Sequence, residues 1–196
     1  NNLLAIVLGR VRLLQSSLES APAPRPLAII ERATMDAAEV VRRVLRFSRQ
    51  QPLEERVAVD LKRLAAEVRE MARPRWQDAG HARGLEIQVV VEGEDVPPIA
   101  GNPSALLEVL LNLVLNAVDA LPDGGRIVLR TFREGSWVGV AVTDNGVGMS
   151  PEVRAQVLQP FFTTKGPKST GLGLSVAYGT LQRHGGGLTI ESEEGR

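Results

Sequence analysis

The sequence predicts an α+β chain in which an antiparallel helical hairpin precedes an α/β sandwich, with a mixed sheet packed on helices. Three observations predict this architecture. Apolar residues recur every three or four positions over residues 3–18 and 27–50, the spacing of helices that pack on helices. Short alternating apolar runs, typical of strands, follow from residue 57 onward and are interleaved with helical segments. A hydrophobic share of 43% in 196 residues is sufficient for a buried core.

The charge balance and the missing residue types exclude several classes of protein. Lys plus Arg and Asp plus Glu both number 23, so a nucleic-acid binder acting through bulk positive charge is excluded. The absence of cysteine excludes a disulfide scaffold, a thiolate zinc site and a cysteine nucleophile. No apolar run approaches the ~20 residues of a membrane span, and no signal peptide is visible. We therefore expect a cytoplasmic segment without membrane contact, cut from a longer protein that could itself be membrane-anchored.

Two helices and a proline break make up the predicted hairpin, which we assign to residues 1–52. The three prolines within residues 22–26 end the first helix, because each removes an amide donor. The second helix carries two offset apolar stripes that share Ile30, Ala37 and Val44. One hairpin cannot bury stripes this wide, so we expect a homodimer through residues 3–50 that forms a four-helix bundle. The alternative is that both helices pack on the rest of the same chain.

The second predicted domain covers residues 57–196 and mixes short strands with helices. Alternating Val138, Val140 and Val142 turn one face of a strand toward a core. A turn at residues 134–136 joins this strand to the preceding one. Asp60 suits the N-cap of the first helix. The pattern predicts strands over residues 57–59, 85–91, 126–133, 137–143 and 188–192, and helices over residues 60–73, 103–121, 151–158 and 172–184.

A polar stripe interrupts the apolar helix predicted at residues 103–121. Asn102 suits its N-cap and Pro103 its first position. Four polar side chains lie among its apolar residues, those of Glu108, Asn112, Asn116 and Asp119. At about 100° per residue, they fall within an arc of about 80°. A narrow solvent-facing stripe is the alternative, although such a stripe would normally contain Lys or Arg. Amide and carboxylate oxygens suit a hard divalent cation such as Mg²⁺, and here they come from Glu108, Asn112, Asn116 and Asp119.

Two glycine-containing segments follow the strands. Residues 144–149, Asp-Asn-Gly-Val-Gly-Met, come directly after a strand, and a plain turn is the alternative because Asn-Gly is a strong turn dipeptide. Residues 170–174, Thr-Gly-Leu-Gly-Leu, open a helix, where backbone amides and the helix dipole favour an anion. No Walker sequence occurs, and no Gly-x-Gly-x-x-Gly follows a strand, so P-loop and Rossmann sites are excluded. His184 is expected to cap the C-terminus of the last helix.

Four motifs follow one another: Glu-x3-Asn-x3-Asn-x2-Asp, Asp-x-Gly-x-Gly, Phe-Phe-Thr-Thr-Lys and Thr-Gly-Leu-Gly-Leu. Their order and spacing resemble the catalytic ATP-binding domain of sensor histidine kinases, the Bergerat-type fold of the GHKL superfamily shared with gyrase, Hsp90 and MutL. The hairpin is similar to that family's dimerisation and phosphotransfer domain. The opening Asn-Asn-Leu-Leu-Ala resembles the stretch after the phosphoacceptor histidine, which would lie just upstream of Asn1. The resemblance also implies that the domain's last strand is cut off after Arg196.

The resemblance assigns roles in ATP binding and phosphoryl transfer to the polar stripe. Asn116 would coordinate the Mg²⁺ that bridges the ATP phosphates, with Asn112 beside it. Glu108 would act as general base or hydrogen-bond acceptor toward the attacking histidine. Asp119 would lie near the ribose or the phosphates, and the chemistry would be in-line phosphoryl transfer.

It also implies roles for the glycine segments and for the stretch between them. Asp144 would accept a hydrogen bond from the adenine amino group, and Gly146 and Gly148 would let the base approach the backbone. Residues 149–170 would form a mobile lid from which Lys165 reaches the phosphates, and we expect Phe161 and Phe162 to pack down at its base. The phosphates would be cradled at the helix start by Thr170, Gly171, Leu172, Gly173 and Leu174.

Partners and a second activity are further implications of the resemblance. The full-length protein would receive signals from an upstream sensor domain and pass phosphate to the receiver domain of a response regulator. Asn2, one helical turn after the histidine, would orient water to dephosphorylate that regulator; the alternative is an ordinary exposed polar residue. Two other functions stay open: a GHKL ATP-binding interaction module, such as an anti-sigma-type serine kinase or an ATP-gated clamp, and a nucleotide-binding scaffold without catalysis. The hairpin argues against the interaction module, because those proteins have no such element before the nucleotide domain.

Overall fold

The fold is described from a computed structural model of the protein. The chain divides into two compact units, residues 1–51 and 52–196. The described residues are 56–81, with the backbone alone at 78–81, together with 85–166 and 169–195, and all of them belong to the second unit. The predicted hairpin over residues 3–50 and Asn2 therefore lie outside the described residues.

The second unit alternates strands and helices as the sequence pattern predicts. None of its described helices is long and apolar enough to cross a membrane. In chain order the elements are β1 (Val57–Val59), α1 (Leu61–His81), β2 (Ile87–Gly93), β3 (Ile99–Gly101), α2 (Pro103–Asp119), β4 (Gly125–Glu134), β5 (Trp137–Asp144), α3 (Pro151–Gln156) and α4 (Gly173–Arg183).

The main sheet has three strands in the order β2-β4-β5 and is mixed, as predicted. β2 runs parallel to β4, with Ile87 opposite Gly125, whereas β4 and β5 are antiparallel. The β4–β5 hairpin turns on Gly135 and Ser136, and Gly135 has a φ of 58°. A positive φ at the first of two turn residues matches the right-handed twist of the flanking strands. A second, two-stranded antiparallel sheet pairs β1 with β3.

The core lies between the main sheet and the helices α1 and α2. Ile127 and Leu129 on β4 are fully buried and point inward, because every second residue of a strand faces the same side. Thr131 continues this face, and its hydroxyl donates to the carbonyl of Glu94 at 2.6 Å, so the one polar member is satisfied. The sheet-on-helix packing confirms the α+β architecture of this unit.

The first helix is longer than predicted. It was expected to end near Arg73 but continues to His81, with Pro74 inside it. Proline removes one helical hydrogen bond, at a cost of about 3 kcal/mol. Ala72 and Trp76 on either side of it are buried and extend the apolar stripe of the helix. Core packing therefore offsets the break that local propensity predicts.

The strand predicted over residues 188–192 is wrong. Residues 186–193 form no regular strand. Hydrogen bonds to the loop after β5 fix the position of the C-terminal segment instead. The Met149 N–H donates to the Ser192 hydroxyl at 2.9 Å, and the Gly195 N–H to the Val147 carbonyl at 2.9 Å. The short strand β3 was not predicted, since three residues carry too little pattern to separate from a loop.

Candidate functional site

Helix α2 presents the polar stripe at the surface of the core. Asn102 caps the helix, as expected, and its side chain accepts from the Ala105 N–H at 2.8 Å. The opposite face of the helix is buried, with Val114 fully inaccessible. Glu108, Asn112 and Asn116 are half-buried, and Asp119 lies at the more exposed end. The stripe is therefore a partly covered row of oxygen-bearing side chains.

Lys165 reaches across from the segment predicted to form the lid and contacts this stripe. Its ammonium donates to Asn116 Oδ1 at 3.0 Å and to Asp119 Oδ2 at 2.7 Å. The predicted phosphate-binding lysine and the predicted metal ligand therefore lie in contact. The sequence pattern did not predict this contact, because Lys165 and Asp119 are 46 residues apart and no local pattern links them.

The loop after β5 is fastened to the C-terminal end of α2. Asp144 Oδ1 accepts from the Gly146 N–H at 2.9 Å and closes a tight turn. The Val147 N–H donates to the Ala120 carbonyl at 2.9 Å. These bonds bring the carboxyl group predicted to bind adenine beside the helix that carries the stripe.

The two glycines of this loop are required by the protein's own backbone. A Cβ at Gly146 would collide with the carbonyl of Ala120. Gly148 has a φ of 67°, and a Cβ there would meet the carbonyl of Glu193. Close backbone packing thus accounts for both residues, and the expectation that they admit the adenine base stays a prediction.

The start of α4 lies beside the stripe. Gly171 has a φ of 63° and packs against the backbone of Phe161 and Phe162. Leu172 is 1% exposed and provides no side-chain cap for the helix. At Gly173 a Cβ would lie 3.9 Å from the Asn112 side chain. An uncapped helix start at this position is suited to an anion, as the sequence predicted for residues 170–174.

Phe161 does not pack inward as predicted. Its side chain is among the exposed large hydrophobic groups, with 67% of the residue accessible, whereas Phe162 is half-buried. The backbone of Phe161 has a φ of 69°, and its N–H donates to the Gly171 carbonyl at 3.0 Å. A positive φ is rare for a bulky residue. The hydrogen bond to Gly171 holds this backbone conformation, and the ring faces outward.

His184 caps α4, as expected, and also makes a contact that was missed. Its Nδ1 lies 2.8 Å from the Thr180 carbonyl, and its Nε2 lies 3.1 Å from the backbone nitrogen of Asn102. In the tautomer with hydrogen on Nδ1, the ring donates to Thr180 and accepts from Asn102. The imidazole therefore links the end of α4 to the start of α2.

Replacing His184 should destabilise the unit through this link. His184→Ala removes the acceptor of a part-buried N–H, which costs about 1–3 kcal/mol. We expect urea unfolding to show a loss of that size, with Gln182→Ala, an exposed neighbour in the same helix, within about 0.5 kcal/mol of the parent chain. Equal losses in the two variants would contradict the link.

The donor set at the stripe suits Mg²⁺ better than a transition metal. Within the described residues, no group of three or more His, Cys, Asp or Glu side chains could hold a metal ion. Mg²⁺ needs few protein ligands, because waters and phosphate oxygens complete its octahedron. Asn116 and its neighbours on the stripe offer the oxygen ligands that such an ion requires.

Comparisons with known proteins identify related chains. The family described as Histidine kinase-, DNA gyrase B-, and HSP90-like ATPase matches residues 101–196. The chain is 33% identical over 213 residues to the sensor kinase CckA of Brucella abortus, covering 100% of this chain and 22% of that protein. It is 31% identical over 212 residues to the sensory histidine kinase/phosphatase NtrB of Azospirillum brasilense, covering 100% of this chain and 50% of that protein.

A solved structure supports the same relationship. Full-length ShkA in complex with AMPPNP superposes with a TM-score of 0.75 at 25% identity, over 92% of this chain and 39% of that one. The chain thus spans between about a fifth and a half of the length of the curated relatives named here. The shared part includes the stripe, the loop after β5 and the start of α4, since all three lie within residues 101–196.

Proposed function

We propose that this chain is the kinase core of a two-component sensor histidine kinase, because residues 101–196 match the histidine kinase-, DNA gyrase B- and HSP90-like ATPase family. It binds Mg-ATP and transfers the γ-phosphoryl group to a histidine just upstream of Asn1. The phosphoryl group then passes to an aspartate on the receiver domain of a response regulator. Sensor histidine kinases among the relatives, such as CckA and NtrB, support this function.

The observation that carries the proposal is the convergence of three separate segments on one helix. The ammonium of Lys165 contacts Asn116 and Asp119, the Asp144 loop is bonded to Ala120 just after that helix, and Gly173 opens its helix next to Asn112. In the proposed function, these three segments supply the cation ligand, the base acceptor and the phosphate-binding amides for one nucleotide. Phosphoryl transfer needs mainly positioning and charge neutralisation, and this arrangement provides both.

Each group has a definite task in the proposed reaction. Asn116 would hold Mg²⁺, which when bound would neutralise charge on the phosphates. Asp144 accepts from the adenine amino group through the oxygen that the Gly146 turn leaves available. Glu108, two turns before Asn116 on the same face, accepts the proton or hydrogen bond of the attacking imidazole. The amides of residues 171–174 hold the phosphates at the start of α4.

The proposed partners act through parts of the protein beyond this site. Residues 3–50 form the dimer, the acceptor histidine lies just upstream of Asn1, and an upstream sensor domain supplies the signal. Asn2 is assigned the phosphatase role, which the printed description of NtrB as a kinase/phosphatase supports. We place the domain in the cytoplasm, where ATP and response regulators are found.

The proposal is tested with a chain extended toward its N-terminus through the acceptor histidine. This chain should label itself from γ-labelled ATP, with a phosphate that is acid-labile and base-stable. Glu108→Gln should reduce the labelling rate by about 10²- to 10⁴-fold, the usual contribution of a general base, without abolishing ATP binding. Efficient ATP binding without any labelling of the extended parent chain would reject the kinase and favour an ATP-binding interaction module.

A further inference from the structure

The contact between Lys165 and α2 involves two adjacent oxygen ligands on one helix face. Residues 116 and 119 are one turn apart and share a face. The Lys165 ammonium lies 3.0 Å from Asn116 Oδ1 and 2.7 Å from Asp119 Oδ2. About a third of each charged side chain is accessible, 36% for Lys165 and 37% for Asp119. Water therefore screens this pair less than it screens a fully exposed one.

The amide oxygen that Lys165 contacts is the same oxygen that the proposed function assigns to Mg²⁺. An ammonium and a divalent cation repel each other at contact distance, so both cannot occupy Asn116 Oδ1 at once. The ammonium hydrogen-bonds at the place where the cation would coordinate. Lys165 and the cation thus compete for one ligand.

We infer that Lys165 is a latch that occupies the cation position at Asn116 when nucleotide is absent, and that Asp119 is the positioning residue that holds the latch there. The inference rests on the proposed function for the assignment of Asn116 to the cation. Free divalent cations are disfavoured at the site, because the ammonium already neutralises it. The phosphates of bound ATP would draw the ammonium away from Asn116, whose Oδ1 would then be open to Mg²⁺.

The local structure around Lys165 is consistent with a held position. The Lys165 N–H donates to the Thr163 hydroxyl at 3.1 Å, and the Ser169 N–H to the Gly166 carbonyl at 3.2 Å. Gly166 has a φ of 67° in open space, so the chain turns directly after the lysine. The ammonium is delivered to α2 by a short turn with its own hydrogen bonds.

The latch makes a sharp prediction about free metal. Lys165→Met removes the competing charge and leaves the oxygen ligands in place. We expect this variant to bind Mn²⁺, used as the probe without nucleotide, about tenfold or more tightly than the parent chain, and to bind Mn-ATP about tenfold more weakly. Lys165→Arg keeps the charge and should bind free Mn²⁺ as weakly as the parent chain. Mn²⁺ titration by electron paramagnetic resonance measures the affinities of the parent chain and of both variants.

Two further variants place the effect on the named residues. Asn116→Ala in the Lys165→Met background should abolish the gain in Mn²⁺ affinity. Asp119→Asn should accelerate amide hydrogen exchange over residues 163–166 in the parent chain but change nothing in the Lys165→Met background, and Asp119→Glu should restore slow exchange. A purely structural role of Asp119 would accelerate exchange in both backgrounds.

The outcomes separate the latch from the proposed function. Unchanged free Mn²⁺ affinity in Lys165→Met, with Mn-ATP binding intact in the parent chain, overturns the latch and leaves the function standing. A gain in free Mn²⁺ affinity in Lys165→Met, with no Mn-ATP binding by the parent chain, retains the latch and rejects the function. A gain that survives Asn116→Ala also overturns the latch, because the cation would then bind elsewhere.

Discussion

Asn116→Ala should abolish Mg-ATP binding, with an affinity loss beyond about 100-fold. Losing groups that only support metal ligands already costs about 10- to 100-fold, and here the ligand itself is removed. The substitution also deletes one of the two oxygens that hold Lys165 over the site, at 3.0 Å. In the proposed function the metal depends on this side chain, which Lys165 also contacts.

Isothermal titration calorimetry with Mg-ATP measures this loss, and thermal unfolding checks that the variant is folded. Ser104→Ala is the matched control, since Ser104 is an exposed polar residue of the same helix, about three turns before Asn116. We expect the control to bind Mg-ATP as the parent chain does. Binding of Asn116→Ala at the parent affinity would remove Asn116 from the metal site.

Gly148→Ala should destabilise the domain more than any other single-methyl change in the nucleotide loop. The left-handed backbone at φ 67° costs an alanine about 1–2 kcal/mol. The new Cβ would also collide with the carbonyl of Glu193, so the C-terminal segment must shift away. That shift also disturbs the neighbouring Met149–Ser192 hydrogen bond, and we expect a total loss of about 2–4 kcal/mol in the free energy of unfolding.

The contribution of the collision can be isolated with a second glycine. Gly166 has the same φ of 67°, but a Cβ there would meet nothing within 4 Å. Gly166→Ala should therefore lose only the backbone component of about 1–2 kcal/mol. Urea unfolding of the two variants gives the difference directly. If they unfold alike, close packing against Glu193 is not what requires glycine at position 148.

Much of this domain could be predicted because its signals are local. Helix α2 follows from an N-cap, a proline and an apolar run that ends at Leu121-Pro122, and the observed helix ends two residues earlier, at Asp119. The β4–β5 hairpin follows from alternation and a two-residue turn. The polar stripe follows from the angular positions of its four residues on the helix alone. In each case the residues that decide the structure are within one turn or one strand of each other.

The rest depends on contacts between distant parts of the chain. Continuation of α1 through Pro74 requires the buried Trp76, whose environment the sequence does not reveal. The segment at residues 188–192 has an apolar pattern that suits a strand, yet Ser192 bonds to a loop 43 residues away. His184 was expected only at its own helix end, and its bond to Asn102 spans 82 residues. Pattern reasoning has no access to such pairings.

The two attachments of α2 also bear on the thermodynamics of ligand binding. His184 fixes the start of this helix, and the Val147–Ala120 bond fixes its end. In the proposed function, the base-binding loop and the metal-binding helix are therefore already attached to each other. Ordering a residue costs about 1–2 kcal/mol in conformational entropy, and these attachments spare the loop and the helix that cost when a nucleotide binds. Substitutions that loosen either attachment should make ATP binding entropically less favourable, even where every ligand-contacting side chain is retained.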